Sequence, residues 1–356
     1  MSAEIFCGEH HYNAIYDQFA WLCSMKLESP YLPKALPLIV ENMRKSGNPL
    51  GMSGAKLSSW ANGLDLPSKG ETLLYTSCDY QLIPYMLTLV DQIKRMGPFG
   101  YGGSALASAA MGLRRLGLDV TATFAALTAK DEGYYNSIVR MYAEVLRKYG
   151  VDFAYLGEEE PYSGALLYEF GFAEEFAEHA KKVSRLFKER NVRTVIVTSP
   201  HALEAFRLLY PKFVEGFDVN ALHFTEALLK AKQKIPMALK EPLDVTLHDP
   251  CHLARTLNIT EEPREILSQV RNLSLKEVPY ANKRWTGCCG APIETLLPSL
   301  AEPVAAKRVE ELASSGAGTA LTLCAFCLAN LRKGASGKAL KVMDFVEVLH
   351  QALEAK

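Results

Sequence analysis

Short, continuous apolar runs punctuate the chain, and longer amphipathic stretches lie between them. Leu73-Leu74-Tyr75-Thr76, Val195-Ile196-Val197-Thr198, Val245-Thr246-Leu247-His248 and Ala320-Leu321-Thr322-Leu323 are such runs. Runs this short, rich in β-branched and aliphatic residues, predict strands buried on both faces, as in a parallel sheet. The first leads into Cys78 and a helical run through Lys94. Strand and amphipathic helix in alternation predict an α/β fold. Residues 1–65 read instead as a helical and connecting segment with a loop around Ser46-Gly47-Asn48-Pro49. The glycine-rich stretch Gly97-Pro98-Phe99-Gly100-Tyr101-Gly102-Gly103 lacks the strand–turn–helix context of a nucleotide fingerprint and reads as a loop.

The pattern repeats itself. With Gly164 set against Gly290, the following residues align without a gap at an offset of 126, so that Ala180–Leu186 falls on Ala306–Leu312. One residue of slippage later, Val195–Thr198 falls on Ala320–Leu323, and His223-Phe224-Thr225-Glu226 resembles Asp344-Phe345-Val346-Glu347. Self-similarity on this scale predicts two pseudo-symmetric, Rossmann-like halves with parallel sheets. The expected division is a helical N-terminal segment (1–65), a first α/β half (66–236) and a second (237–356), meeting near Lys234–Pro242.

Charge and composition narrow the function. At 356 residues and 49% hydrophobic, the chain can bury a large core. Its 39 basic and 40 acidic residues balance, with no basic stripe, which argues against a nucleic-acid partner. The N-terminus lacks a basic region followed by an apolar run, and no stretch approaches the roughly 18 apolar residues of a membrane span. A cytoplasmic location is expected.

Eight cysteines change the picture. In such a compartment disulfides are a poor default, and metal binding or catalysis rises accordingly. Cys7, Cys23 and Cys78 stand apart, whereas Cys251, Cys288, Cys289, Cys324 and Cys327 cluster in the second half. Each cluster member follows a strand or sits at a turn, and loops beyond the carboxyl ends of parallel strands converge on one crevice. Gly290 would let backbone crowd close to the sulfurs, and helix N-termini after Cys251 and Cys327 would favour thiolates. Soft thiolates select zinc, cuprous copper or iron–sulfur clusters. Five candidates with a vicinal pair suit several iron atoms better than one tetrahedral zinc, with zinc, a redox dithiol and plain core cysteines as the alternatives. Within the repeat, Tyr162, Ser163, Ser199 and Ala202 fall on Cys288, Cys289, Cys324 and Cys327, and only Cys251 keeps a cysteine counterpart, Cys78.

His248-Asp249-Pro250-Cys251-His252-Leu253-Ala254-Arg255, Gly287-Cys288-Cys289-Gly290-Ala291-Pro292 and Cys324-Ala325-Phe326-Cys327-Leu328-Ala329-Asn330-Leu331 resemble the CCG, or cysteine-rich, domain. That domain occurs in the B-type and D-type components of heterodisulfide reductase, in glycolate oxidase iron–sulfur subunits and in the lactate-utilisation iron–sulfur protein. The resemblance covers roughly residues 40–356. It implies that the five cysteines ligate a non-cubane [4Fe–4S] cluster. It also implies a redox subunit of a heterodisulfide-reductase-like complex that acts on a disulfide, thiol or persulfide. Larger family members add a ferredoxin-like region with CxxCxxCxxxC runs. Only Cys7 and Cys23 lie at the corresponding end here, so electrons are expected from a ferredoxin-like or flavin partner subunit. The first half should hold no cluster, which points away from a coenzyme M–coenzyme B disulfide and toward another sulfur compound. Two other readings stand beside this one: a zinc-bound scaffold, and the iron–sulfur subunit of a hydroxy-acid oxidase.

Nearby residues have quieter expected roles. His248 is read as finishing a strand and His252 as capping or packing a helix, in preference to contacts with a cluster. Cys78 is read as a buried remnant, Cys7 and Cys23 as ordinary thiols, and Glu158-Glu159-Glu160 as a solvated turn. Trp285 and Phe326 are expected to seal the site from water.

Overall fold

A computed structural model describes residues 35–95, 129–295 and 297–354. Cys7, Cys23 and the 97–103 loop lie outside these residues. The elements used below are α1 (Ala35–Ser46), β1 (Thr72–Tyr75), α2 (Asp79–Arg95), α3 (Glu132–Lys148), α4 (Ala173–Glu189), β2 (Thr194–Val197), α5 (Pro200–Glu204), β3 (Asn220–His223) and α6 (Phe224–Lys230). The second half continues with β4 (Met237–His248), α7 (Glu261–Ser268), β5 (Val270–Leu275), α8 (Pro298–Ala313), β6 (Thr319–Thr322), α9 (Ala325–Gly334), β7 (Lys341–Asp344) and α10 (Phe345–Glu354). An amphipathic helix, α1, opens the described N-terminal region.

The strands form two parallel sheets, ordered β1-β2-β3 and β5-β4-β6-β7. The four expected strands are present within a residue of their expected positions, except that β4 begins earlier, at Met237. Their sequences explain why: β2 reads Thr-Val-Ile-Val, and every residue of β6 is buried, as a central parallel strand requires. β3, β5 and β7 carry too few apolar residues to stand out by pattern.

The sheets repeat as the sequence does, with β1, β2 and β3 matching β4, β6 and β7. Even β5 has a trace in the first half, a single parallel bridge between Leu73 and Ala154. Gly164 and Gly290 both have positive φ, +84° and +89°, a conformation that side chains with a Cβ rarely adopt. The similar closing segments are two versions of one helix cap. Glu226 accepts from His223 N, which begins α6, and Glu347 accepts from Asp344 N, which begins α10.

The halves are joined by buried polar contacts. Asp344 Oδ2 accepts from Tyr80 at 2.5 Å and Oδ1 from Tyr142 at 2.9 Å, both tyrosines belonging to the first half. His350 on α10 pairs with Glu144 on α3 at 2.8 Å. The carboxyl ends of the two sheets therefore face one another.

Of the described residues, four buried carboxyls give the fold a pH dependence, among them Asp79, pushed up to about 7, and Glu294, pushed up to about 8. Burial pushes Glu160 and Asp344 each up to about 7, even though both accept hydrogen bonds that oppose the shift. A carboxyl raised in the folded state binds its proton more tightly there than in the unfolded chain, where it titrates near about 4. Its stabilising share is therefore complete below that value and is lost as pH rises through 7. Each group should cost roughly 1 kcal/mol between pH 6 and pH 8. The thermal unfolding midpoint is expected to be lower at pH 8 than at pH 6, and Glu160→Gln should reduce the difference by its own share. A midpoint that rises toward pH 8 would refute the assignment.

Candidate metal centre

Three chain segments bring the five cysteines together. Cys251 lies three residues beyond β4 and caps a single wide helical turn, His252–Thr256. Cys324 lies two residues beyond β6 and is the N-cap of α9, with Cys327 inside its first turn. The helix N-terminus therefore follows Cys324, not Cys327 as the sequence predicts. Cys288 and Cys289 come from the loop before α8. Asp249 ties that loop's approach to the end of β4, accepting from Lys283 N at 2.7 Å and from both terminal nitrogens of Arg264.

The sulfurs form a connected group. The thiols are free and perturb one another's charge, Cys288 with Cys289, Cys289 with Cys327, Cys327 with Cys324, and Cys251 with Cys289 and Cys324. Cys289, Cys324 and Cys327 are buried, Cys251 is half-buried and Cys288 is exposed at the rim. Hydrogen bonds from Cys288 and Cys327 hold the Cys289 thiol well below the usual range. Burial opposes the same shift at Cys324, but bonds from Cys327 and His201 overcome it. Burial pushes the Cys251 thiol up to about 12.

His248 belongs to this group, contrary to the expectation that it only ends a strand. One of its ring nitrogens and the sulfurs of Cys289 and Cys327 lie within 4.8 Å of one another. Its Nδ1 accepts from Arg308 Nε at 3.1 Å, and a guanidinium can only donate, so the proton sits on Nε2. Nε2 has no hydrogen-bond partner among the described residues. Arg308, 1% exposed, is itself held by Ala281 O, Thr286 Oγ1 and Glu311. The repeat sets Arg308 against Lys182, and no sequence signal marks it.

Three further expectations need correction. A Cβ on Gly290 would lie 2.7 Å from the Ala301 carbonyl, so glycine clears the way for α8 and not for the sulfurs. Trp285 is 81% exposed and seals nothing, whereas Phe326 is 1% exposed and packs on His201 with ring centroids 4.9 Å apart. Glu160 is no solvated turn residue: it is buried and accepts from Thr76 N and Oγ1 at 2.5 and 2.6 Å.

The matching region of the first half is filled by its own side chains. Cys78 is buried beside Glu160, Ser199 donates to Asp79, and Tyr162, Ser163 and Ala202 are buried. One thiol among hydroxyls and carboxylates is a hard donor set that does not suit an iron–sulfur cluster. The five thiols of the second half do suit one, because they are soft, clustered and more numerous than a tetrahedral zinc takes.

His252 turns away from the sulfurs to a group that the sequence does not predict. Its Nδ1 bonds Glu204, and its ring lies 4.0 Å from that of His201. His201 Nδ1 bonds Glu169 at 2.6 Å. A cavity of about 250 Å³ opens beside them, lined by Glu169, Cys251, His252, Arg255 and Cys288 among others.

A parallel α/β half with thiols gathered beyond its strand ends defines a cysteine-rich α/β domain. Residues 245–332 match the family model of the cysteine-rich domain, CCG. The chain is homologous to the D-type component of the dihydromethanophenazine:CoB–CoM heterodisulfide reductase of Methanosarcina acetivorans, with 31% identity over 224 residues, 59% of this chain and 54% of that one. It is likewise similar to the probable iron–sulfur-binding oxidoreductase FadF of Bacillus subtilis, with 30% identity over 221 residues, 60% of this chain and 31% of that one. Lactate utilization protein A of Exiguobacterium sp. is 24% identical over 242 residues, 64% of this chain and 96% of that one. The matches thus span about half or less of the first two relatives and nearly all of the third. These relatives support an iron–sulfur redox role. No helix among the described residues is long and apolar enough to cross a membrane.

Proposed function

We propose that Cys251, Cys288, Cys289, Cys324 and Cys327 ligate a [4Fe–4S] cluster of the non-cubane type. On this reading residues 237–356 form the cluster-binding half and residues 66–236 the half that has lost its ligands. The chain then serves as the iron–sulfur redox subunit of a heterodisulfide-reductase-like complex, acting on a disulfide, thiol or persulfide. A ferredoxin-like or flavin subunit supplies or takes the electrons. Five free thiols suit a reducing compartment, the cytoplasm. The observation that carries the reading is the convergence of five thiols from three segments, with Cys251 and Cys288 lining an open cavity.

When bound, the cluster supplies one-electron steps and an iron site for a substrate sulfur. The chain's own residues do the rest. Arg308 fixes the His248 tautomer, so that Nε2–H stabilises negative charge on the sulfurs. Phe326 keeps water from the buried side. Loss of one such donor, worth about 1 kcal/mol, corresponds to roughly 40 mV for a one-electron couple. His248→Leu is therefore expected to make the cluster potential more negative by that order, in a redox titration followed by electron paramagnetic resonance. An unshifted potential would remove His248 from the site.

Adding 2-mercaptoethanol to the anaerobic protein tests the sulfur substrate. A thiol-dependent change in the cluster's paramagnetic signal supports direct binding. An unchanged signal favours pure electron transfer. That second reading, an iron–sulfur subunit of a hydroxy-acid oxidase, draws on the near full-length match to lactate utilization protein A.

A further inference from the structure

Glu169, His201 and His252 make a second donor group at the seam between the halves. Glu169 Oε1 lies 2.6 Å from His201 Nδ1 and 3.8 Å from His252 Nε2, and one donor atom from each of the three residues lies within 4.8 Å of the others. An ion bonded at about 2.0–2.2 Å to three such atoms needs them roughly 3 Å apart, so modest adjustment closes the site. The His252 ring is held from its other nitrogen, where Nδ1 bonds Glu204. Ligating imidazoles are oriented in this way, by a partner on the nitrogen away from the metal. His201 also interacts with the Cys324 thiol. The Glu169 and His252 side chains are each 10% exposed and that of His201 is 4% exposed. Glu169 Oε2 is buried without a hydrogen-bond partner among the described residues. Such an orphaned oxygen is costly, and a cation beside it would remove the cost.

The geometry points to a mononuclear divalent metal site held by Glu169, His201 and His252, separate from the cysteines. Two imidazoles and one carboxylate suit a first-row ion such as Fe2+ or Zn2+ and leave coordination positions open. Glu169 and His252 line the same cavity as Cys251 and Cys288. A small anion, carboxylate or thiolate, held at the open position would therefore lie between the metal and the thiols. His201 couples the two centres electrostatically, since it also interacts with the Cys324 thiol. The proposal stands whatever the cysteines hold.

Metal analysis of anaerobically purified protein, with Glu169→Gln and His252→Asn variants, is the first test. One divalent ion per chain beyond the iron matched by sulfide is expected, lost from both variants while their iron and sulfide stay. Should no such ion copurify, chelator-treated protein is titrated with Mn2+, an ion that avoids thiolates, and the free ion is followed by electron paramagnetic resonance. One bound equivalent is then expected, at least tenfold weaker in either variant and retained in Cys288→Ser. Unfolding curves that match the wild type separate loss of a ligand from loss of the fold. An extra ion that survives in both variants overturns the site. So does the absence of a copurifying ion together with no Mn2+ binding below the millimolar range.

Discussion

The Cys289→Ser chain is expected to purify without iron and without visible absorbance. Cys289 is the hub of the thiol group: its sulfur lies within 4.8 Å of the Cys327 sulfur and a His248 ring nitrogen, and Cys288 and Cys327 together lower its pKa. It is also 2% exposed, so water cannot enter to replace a lost sulfur ligand. Serine offers a hard oxygen on a shorter bond, a poor match for iron–sulfur chemistry. Iron should fall from about four atoms per chain, the complement of one [4Fe–4S] cluster, to less than one. Iron and sulfide assays on protein made in parallel with the wild type check this. A variant that keeps its spectrum would remove Cys289 from the ligand set.

The second large effect concerns stability. Asp344 sits at the end of β7, fully buried, and accepts from Tyr80, Tyr142 and Val346 N. It caps α10 and holds the first half at the same time. Asp344→Ala would leave the buried Tyr80 and Tyr142 hydroxyls with only each other, 3.2 Å apart, and would uncap the helix. Removing one partner from a buried polar network is expected to cost about 3–5 kcal/mol. Asp344→Asn, which keeps an acceptor, should cost less than half of that. Urea unfolding of the iron-loaded protein measures both. A loss below about 1 kcal/mol for Asp344→Ala would mean that the halves are held elsewhere.

Much of the site was legible because thiol chemistry is local in sequence. Cys288–Cys289 and Cys324–Cys327 sit close in the chain; strand ends deliver Cys251 and Cys324, and a long loop brings Cys288–Cys289 to the same crevice. The repeat was legible for a related reason: Gly164 and Gly290 answer the same backbone need, and His223–Glu226 and Asp344–Glu347 cap equivalent helices. What escaped the sequence depends on how the halves dock. His201 falls on Phe326 in the repeat, and only the fold brings it against His252 and Cys324. Glu169 and Glu204 carry no motif at all. Arg308 looks like one charge on an amphipathic helix until its burial is seen. Trp285 points to solvent because an aromatic residue three positions before a ligand can face either way along a loop. β3 and β7 were missed as strands because four residues with exposed first positions give no alternation to read.

Iron and acid-labile sulfide, measured together on protein purified without oxygen and examined by electron paramagnetic resonance, test the central claim most directly. About four irons with matching sulfide per chain, and signals unlike those of a cubane, are predicted. Zinc in stoichiometric amount at the cysteines, with no sulfide and no signal, would contradict the account and make this chain a structural subunit.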